Sequence, residues 1–505
     1  MPPAFATVWL SAVAAARLRA FVAARLRAFV AARLPMSAVA RLSAFAAARL
    51  PAFAVVWLPA FVVALFQSAL SLPRHWRMQT SGFDLGIFEE AVRGYAYLEP
   101  PVVTLKGAGF VQLGDHFSPA LAVLAPFYRL WPGPETLLVA QSLLFALSAV
   151  PVTELAVRWL GRARGVAAGL AYGLSWGLWQ ASLFDFHEIA LAVPLVACAT
   201  AALARGRWRA AVWWALPLLL VKEDMGLLLA GVGGHVLLAG RRRGLGAATL
   251  AAAALGTLLT VLVLIPAANP TGGYAYGATA ALRGGDPVTR LLLPAAKWWT
   301  LAALFAPVLL LALRSPLALL TVLPLAARFW STNPAYWSTG WHYSAVLMPV
   351  VFVAALDGLR RLPGRGALRL APAAMLVVAV LAAPRPDLSG PGPDALTARR
   401  VLAAVPDGAR VAAANRLAPH LTSRCTVSLF PYLTFPDGAG STRLSPDDRD
   451  PLFRPTAEWA ATLDTPDDFP APADDLTAQQ SLPTAGYHPV AHGAGITVWH
   501  WEPRH

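Results

Sequence analysis

Five short polar motifs interrupt an otherwise apolar chain, and each holds residue types that do chemistry. SGFDLGIFEEA carries Asp84, Glu89 and Glu90; GDHFSP carries Asp115 and His116; FDFHE carries Asp185, His187 and Glu188; KED is Lys222, Glu223 and Asp224; WHY holds His342. A carboxylate beside a hydroxyl acts as a general base, and an imidazole moves or orients a proton. Every motif also has a plainer reading. Asp84 is either the N-cap of a helix beginning at Leu85 or a catalytic or metal-holding carboxylate. Asp115 and His116, before Ser118-Pro119, read equally as turn chemistry or as functional groups. Asp185, His187 and Glu188 fit a tight interfacial hairpin, and His342 between Trp341 and Tyr343 fits an aromatic belt. Lys222, Glu223 and Asp224 are a self-neutralising ion cluster or a substrate or metal site.

Familiar signatures do not absorb these residues. His187-Glu188 is followed by Ile-Ala-Leu, so the zinc-protease pattern fails at Leu191. Gly107, Gly109 and Gly114 do not make a dinucleotide fingerprint, and the chain has no P-loop. Cys198 and Cys425, the only cysteines, fall in an apolar run and a polar tail, so no disulfide or zinc framework is expected.

The elements that must position the motifs are apolar blocks. Of 505 residues, 57% are apolar and 13% charged, against about 25% charged in an ordinary soluble domain. This is the composition of a polytopic membrane protein and excludes a soluble enzyme, a secreted disulfide scaffold and a disordered chain. Eleven spans are expected near 51–72, 135–157, 166–184, 187–204, 208–221, 225–239, 244–266, 296–313, 316–330, 342–358 and 367–384. The fifth and sixth are short for a hydrocarbon layer of about 30 Å and read as a broken or re-entrant pair.

The net charge of +14 does not signal nucleic acid. Residues 385–505 carry 10 Arg and 14 acids, whereas residues 1–384 carry 31 basic and 13 acidic groups between the spans. With the N-terminus inside, 21 of those 31 basic residues and only Glu154 and Asp357 among the acids fall on the inner side. That segregation predicts a cytoplasmic N-terminus, an extracytoplasmic C-terminus and a plasma-membrane location. Loop 73–134 and the tail 385–505 then lie outside, and all five motifs sit at or beside outer span ends.

Three parts follow: an Arg/Ala-rich extension over 1–50, a transmembrane part over 51–384 and an external domain over 385–505. Residues 3–66 divide into eight octads such as RAFVAARL and PAFAVVWL. Eight helical residues overshoot two turns by about 80°, so the repeat builds no single face. It reads as a coding repeat grown onto a membrane protein, or as an Arg-rich surface helix or address segment. In the tail, ARVAAA, CTVSLF and GITVWHW read as strands and NRLAPHL as a short helix. Segment 436–475, rich in Pro and Asp, is expected to be irregular. The fold class is thus an all-α polytopic membrane protein of about 11 transmembrane helices with a small external α/β C-terminal domain.

FDLGIF, the downstream HFSP, the Pro-rich stretch before a Gln-containing span, FHE, KED and VPDGARVAAANRLAPHLTSR resemble an uncharacterised bacterial family of multi-pass membrane proteins, a domain of unknown function. The resemblance covers about residues 60–432. That family in turn looks like the membrane-embedded C-type glycosyltransferases, which use lipid-linked sugars such as polyprenyl phosphate sugars. In them an acid of the first outer loop activates the acceptor or helps hold a divalent metal. By position Asp84 is the matching residue. The second carboxylate of a metal site (Mg or Mn) would be Asp115, Glu89 or Glu223.

On that resemblance Asp84, Asp115 and His116 are the catalytic candidates. Glu89, His187, Glu188, Lys222, Glu223, Asp224, Arg328 and His342 are the substrate-binding candidates. Arg328, with Lys222 second, is the candidate for stabilising a phosphate leaving group; its plainer reading is an interfacial anchor beside Phe329 and Trp330. The expected activity is transfer of sugar from a polyprenyl phosphate carrier to a cell-envelope acceptor on the external face. The expected partners are a lipid-linked sugar and membrane lipids, with no nucleic acid. Two other classes fit the same residues: a transporter or flippase of a lipid or envelope precursor, and a non-catalytic membrane assembly factor. Sugar, acceptor and oligomeric state are not legible in the sequence.

Overall fold

The computed structural model describes residues 51–270, 272–276, 286–362, 365–431, 456–467 and 472–502. The extension over 1–50, with its first six octads, lies outside the described residues. The last two octads open helix α1, Ala52–Trp76, which tolerates Pro59 and Pro73 in its interior. It packs on a second long helix, Pro134–Leu160.

Four helices are long and apolar enough to cross a membrane: Phe53–Trp76, Pro134–Leu160, Arg243–Ala268 and Pro334–Arg360. Shorter apolar helices fill the space between them, among them Ile189–Ala204, Trp208–Leu220, Pro316–Trp330 and Leu370–Ala382. The shortening has local causes. The run expected as one span over 296–313 is α-helical only across Ala296–Phe305, with a separate 3₁₀ turn at Leu311–Arg314. Pro307 offers no N–H to continue the helix, and Leu309 and Leu310 turn the chain with φ of 57° and 58°. The run over 166–184 splits into Arg162–Gly173 and Trp176–Leu183.

The break expected between the fifth and sixth spans is present. Helix α2, Trp208–Ala215, tightens into a 3₁₀ turn at Leu216–Leu220, where Pro217 sits, and Lys222 is fully extended. Glu223–Met225 makes a second 3₁₀ turn before helix α3, Gly226–Leu238, resumes. The lysine and two acids therefore occupy an interruption between two apolar helices. Helix α4, Arg243–Leu259, follows and packs along α3.

The tail carries a five-stranded sheet of β1 Arg410–Ala413, β2 Thr426–Leu429, β3 Trp459–Leu463, β4 Tyr487–Gly493 and β5 Ile496–Trp501, in the order β2-β1-β3-β5-β4. The three segments read as strands contribute β1, β2 and β5. NRLAPHL, expected as a helix, forms only the 3₁₀ turn Ala418–His420, because Pro419 supplies no N–H within it. Segment 436–475, expected to be irregular, supplies β3 at the centre of the sheet, parallel to β1 and antiparallel to β5. Ala460, Ala461 and Thr462 are buried in succession between half-buried Trp459 and Leu463, a short signal that the surrounding Pro and Asp mask in sequence. The sheet is seated on the first loop: Ala418 meets Gly82, where an added Cβ would come within 2.6 Å of the Ala418 methyl. Only glycine lets the two backbones approach so closely.

Candidate active site

Asp84 sits in the wide helical turn Gly82–Gly86, which runs directly into helix α5, Ile87–Ala96. The turn is held from two directions. The Ser81 N–H donates to Asp185 Oδ2 at 2.7 Å. From the tail, Asn415 accepts from the Gly82 N–H on its carbonyl at 2.7 Å and from the Phe83 N–H on Oδ1 at 2.9 Å. The Ser81 hydroxyl donates to the same Oδ1 at 3.1 Å. Asp84 is not at a cap position: the N-cap of this turn is Ser81 and that of the following helix is Gly86. Asp84 Oδ1 instead lies 3.2 Å from His187 Nε2, with the carboxylate side chain 28% exposed.

The FDFHE hairpin and the WHY motif close around that pair. The imidazoles of His187 and His342 stack with centroids 3.5 Å apart. Phe184 packs against both rings and against Trp341. His342 is 4% exposed, and among the described residues neither of its ring nitrogens, nor His187 Nδ1, has a hydrogen-bond partner. Two buried imidazoles with open nitrogens beside a half-exposed carboxylate form a set that can accept and hold a proton.

A second cluster is built around KED and GDH. His116 Nδ1 lies 2.8 Å from Glu223 Oε1, and the Phe117 N–H donates to Glu223 Oε2 at 3.3 Å. Asp115 pairs with Lys106 and accepts from the Tyr276 hydroxyl at 3.1 Å. Tyr274 donates to Glu223 at 3.1 Å, and the Tyr276 ring stacks on His116. Lys222 Nζ is 2.6 Å from Glu188 Oε1, which is fully buried at the head of helix Ile189–Ala204. The pairing sets the charges. Burial raises the Asp115 carboxyl, but His116 and Lys106 outweigh it and hold the group below the ordinary carboxylate range. Burial and Lys222 push His116 down, yet Glu223 and Asp115 push harder and leave it raised.

His116, Lys222, Glu223, Tyr274 and Tyr276 of this cluster face one cavity of about 290 Å³. His116, Lys222, Glu223, Asp224, Tyr274, Tyr276, Tyr336 and Tyr343 line its polar side, and Ile189, Pro324, Val346 and Leu347 its apolar side. Arg328 completes it. Its guanidinium is 9% exposed and donates to the Tyr336 carbonyl at 2.6 Å, the Tyr343 carbonyl at 3.4 Å and the Ser344 hydroxyl at 3.3 Å. Among the described residues no carboxylate lies within ion-pair distance of it. A buried cation supported only by neutral acceptors is costly unless an anion completes it.

The fold therefore brings nearly all the sequence candidates together, in two adjoining groups. The backbone joins the groups, since His187 precedes Glu188 and His342 precedes Tyr343. Asp84 itself does not line the cavity. Glu89 lies apart from both groups, fully buried against the Tyr128 hydroxyl. Asp84 and Asp115 are engaged in separate pairs, and among the described residues no three His, Cys, Asp or Glu side chains are arranged to hold a metal ion.

Sequence reasoning missed Tyr274, Tyr276, Tyr336, Tyr343 and Asn415. The only trace of the first two is GGYAYG, an aromatic pair spaced to face one side of a loop. Nothing near Asn415 marks it, because its role depends on how the tail docks.

The model of a family of predicted membrane proteins, DUF2079, matches residues 74–436. No curated protein matches the chain in sequence. Among solved structures the chain is similar to the crystal structure of ArnT from Cupriavidus metallidurans bound to undecaprenyl phosphate. The TM-score is 0.54 at 15% identity, covering 87% of this chain and 97% of that one. At that identity the likeness is one of fold.

Proposed function

We propose, from the premise that this chain belongs to the DUF2079 family of predicted membrane proteins and has an ArnT-like membrane fold, that it is a glycosyltransferase-like integral membrane enzyme. It takes sugar from a polyprenyl phosphate carrier to a cell-envelope acceptor on the external face of the plasma membrane. The topology of this reading is the eleven-span one, with the N-terminus cytoplasmic and loop 73–134 and the tail 385–505 outside. The observation that carries it is Arg328, a buried guanidinium without a carboxylate partner, beside Lys222 in a half-apolar cavity. That pairing suits a phosphate attached to an apolar chain.

The reaction balances without a further reagent. The acceptor hydroxyl oxygen attacks the anomeric carbon, and the carbon–oxygen bond to the carrier phosphate breaks. The electron pair leaves on the phosphate oxygen, where Arg328 and Lys222 stabilise it. The hydroxyl proton goes to Asp84, whose orientation His187 fixes. Tyr274, Tyr276, Tyr336 and Tyr343 supply hydroxyls to the sugar. The neighbour's crystal structure holds undecaprenyl phosphate, the leaving group that this scheme releases.

The helix break at Lys222–Met225 favours a second reading, a flippase that moves a lipid precursor. Native mass spectrometry with a panel of polyprenyl phosphate sugars, comparing wild type with Asp84→Asn, separates the two. A transferase binds a carrier in both proteins and turns it over only in wild type. Binding without turnover, even when candidate acceptors are supplied, favours the flippase, and absence of binding across the panel removes both.

A further inference from the structure

Five arginines from two separate loops converge at another place in the fold. Arg207 and Arg209 come from the turn that starts α2, and Arg241, Arg242 and Arg243 from the turn that starts α4. Together with Trp208 they line a cleft of about 700 Å³. Trp208 holds the two loops together: it packs near His235, and an added Cβ at Gly240 would come within 3.0 Å of its ring. Arg241, the first of three consecutive arginines, takes a left-handed backbone (φ 52°).

None of the five pairs with a carboxylate among the described residues. The orientation rule accounts for arginines in these loops but not for their being unpaired in one cleft. The contrast lies close by. Arg158 and Arg205 pair with Glu154, and Arg361 pairs with Asp357, in loops the same rule assigns to the same side. Guanidiniums gathered without counter-charge repel one another, and a phosphate that accepts bidentate hydrogen bonds relieves the repulsion. The surface beside the cleft is apolar and exposed, with Trp213 74% and Leu238 76% accessible. A ligand that fits both surfaces has a phosphate and acyl chains.

We propose that this cleft is a binding site for the phosphodiester head group of an anionic phospholipid, with Trp208 at the head-group level and the chains along Trp213 and Leu238. Basic pockets between membrane helices recognise lipid head groups in this way. The proposal is independent of the transferase reading, because it concerns neither Asp84 nor the Arg328 cavity.

The test is native mass spectrometry of the full-length protein titrated with phosphatidylglycerol or phosphatidylcholine of matched chains. Three proteins are compared: wild type, a cleft variant (Arg209→Gln, Arg242→Gln, Arg243→Gln) and a control of equal charge loss (Arg314→Gln, Arg360→Gln, Arg361→Gln). Wild type and control retain phosphatidylglycerol over phosphatidylcholine by roughly tenfold, and the cleft variant loses that preference. If the triple cleft variant does not fold, Arg242→Gln alone shows a partial loss that Arg242→Lys restores in part. Millimolar inorganic phosphate leaves the retained lipid in place. Equal loss in cleft and control variants, no preference in wild type, or displacement by inorganic phosphate overturns the proposal, the last by making the cleft a site for soluble anions.

Discussion

Asp84 and Glu90 lie six residues apart on one helical run, yet the fold gives them opposite surroundings. Six helical residues turn about 600°, which places their side chains on different faces. Asp84 points toward the FDFHE hairpin, keeps 28% of its side chain accessible and meets His187. Glu90 points toward the seam with the tail, where it is buried against Thr104 at 2.6 Å and the Leu105 N–H at 3.2 Å. The Thr104 hydroxyl is also 2.7 Å from the Val427 carbonyl. One hydroxyl proton serves only one of these acceptors, so a protonated Glu90 that donates to Thr104 satisfies the whole set. Burial accordingly pushes the Glu90 carboxyl up to about 8, with the Thr104 bond opposing. One acid is left open for chemistry, and the other is a neutral rivet between loop and tail.

That contrast breaks first at Asp84. Asp84→Asn should lower turnover of a lipid-linked sugar by about 10²–10⁴-fold, the usual contribution of a positioned base. Its thermal midpoint should match wild type. Glu90→Gln, measured beside it, should keep the wild-type turnover; a reversal of the two results would put the chemistry in the seam. Next in size is Arg328→Gln, which should weaken carrier binding by roughly 10–100-fold through loss of a charge-assisted contact. Equilibrium titration with undecaprenyl phosphate reads this directly, and unchanged affinity would detach the cavity from the carrier.

Asn415 links the two regions and sharpens the comparison. It stands on the tail, yet it accepts from Ser81, Gly82 and Phe83 in the turn that carries Asp84. Asn415→Ala should reduce kcat by about tenfold with KM little changed, because a displaced base costs rate rather than binding. Asn415→Asp keeps the Oδ1 acceptor and should recover part of that loss. Equal losses in both variants would leave Asn415 a purely structural contact.

The smallest effect is a pH dependence at the seam. The folded-state pKa of Glu90 lies above its unfolded value. Its contribution is therefore fully present below about pH 4.5 and is lost as pH rises through about 8. The thermal midpoint of wild type should fall across that window more steeply than that of Glu90→Gln. Parallel slopes would mean that Glu90 ionises freely in the folded protein.

The first loop also shows how much a sequence discloses. Membrane class, the broken pair at KED and three of the five strands follow from hydropathy, Pro placement and alternation, all local signals. Which acids meet which partners does not. Glu89 and Asp84 share a motif, but only the docking of Tyr128 and of the tail separates them. Strand β3 hides in a Pro/Asp-rich stretch because it is five residues long and its buried centre shows no alternation. Tyr274, Tyr276 and Asn415 reach the site through contacts more than fifty residues distant in sequence, which no periodicity records.

The most direct measurement is a cryo-electron microscopy map of the protein in lipid nanodiscs with undecaprenyl phosphate. The account predicts phosphate density within hydrogen-bond reach of the Arg328 guanidinium and the Lys222 ammonium, with the prenyl chain leaving past Val346 and Leu347. A carrier phosphate bound elsewhere, with the Arg328 cavity left without phosphate density, would contradict it.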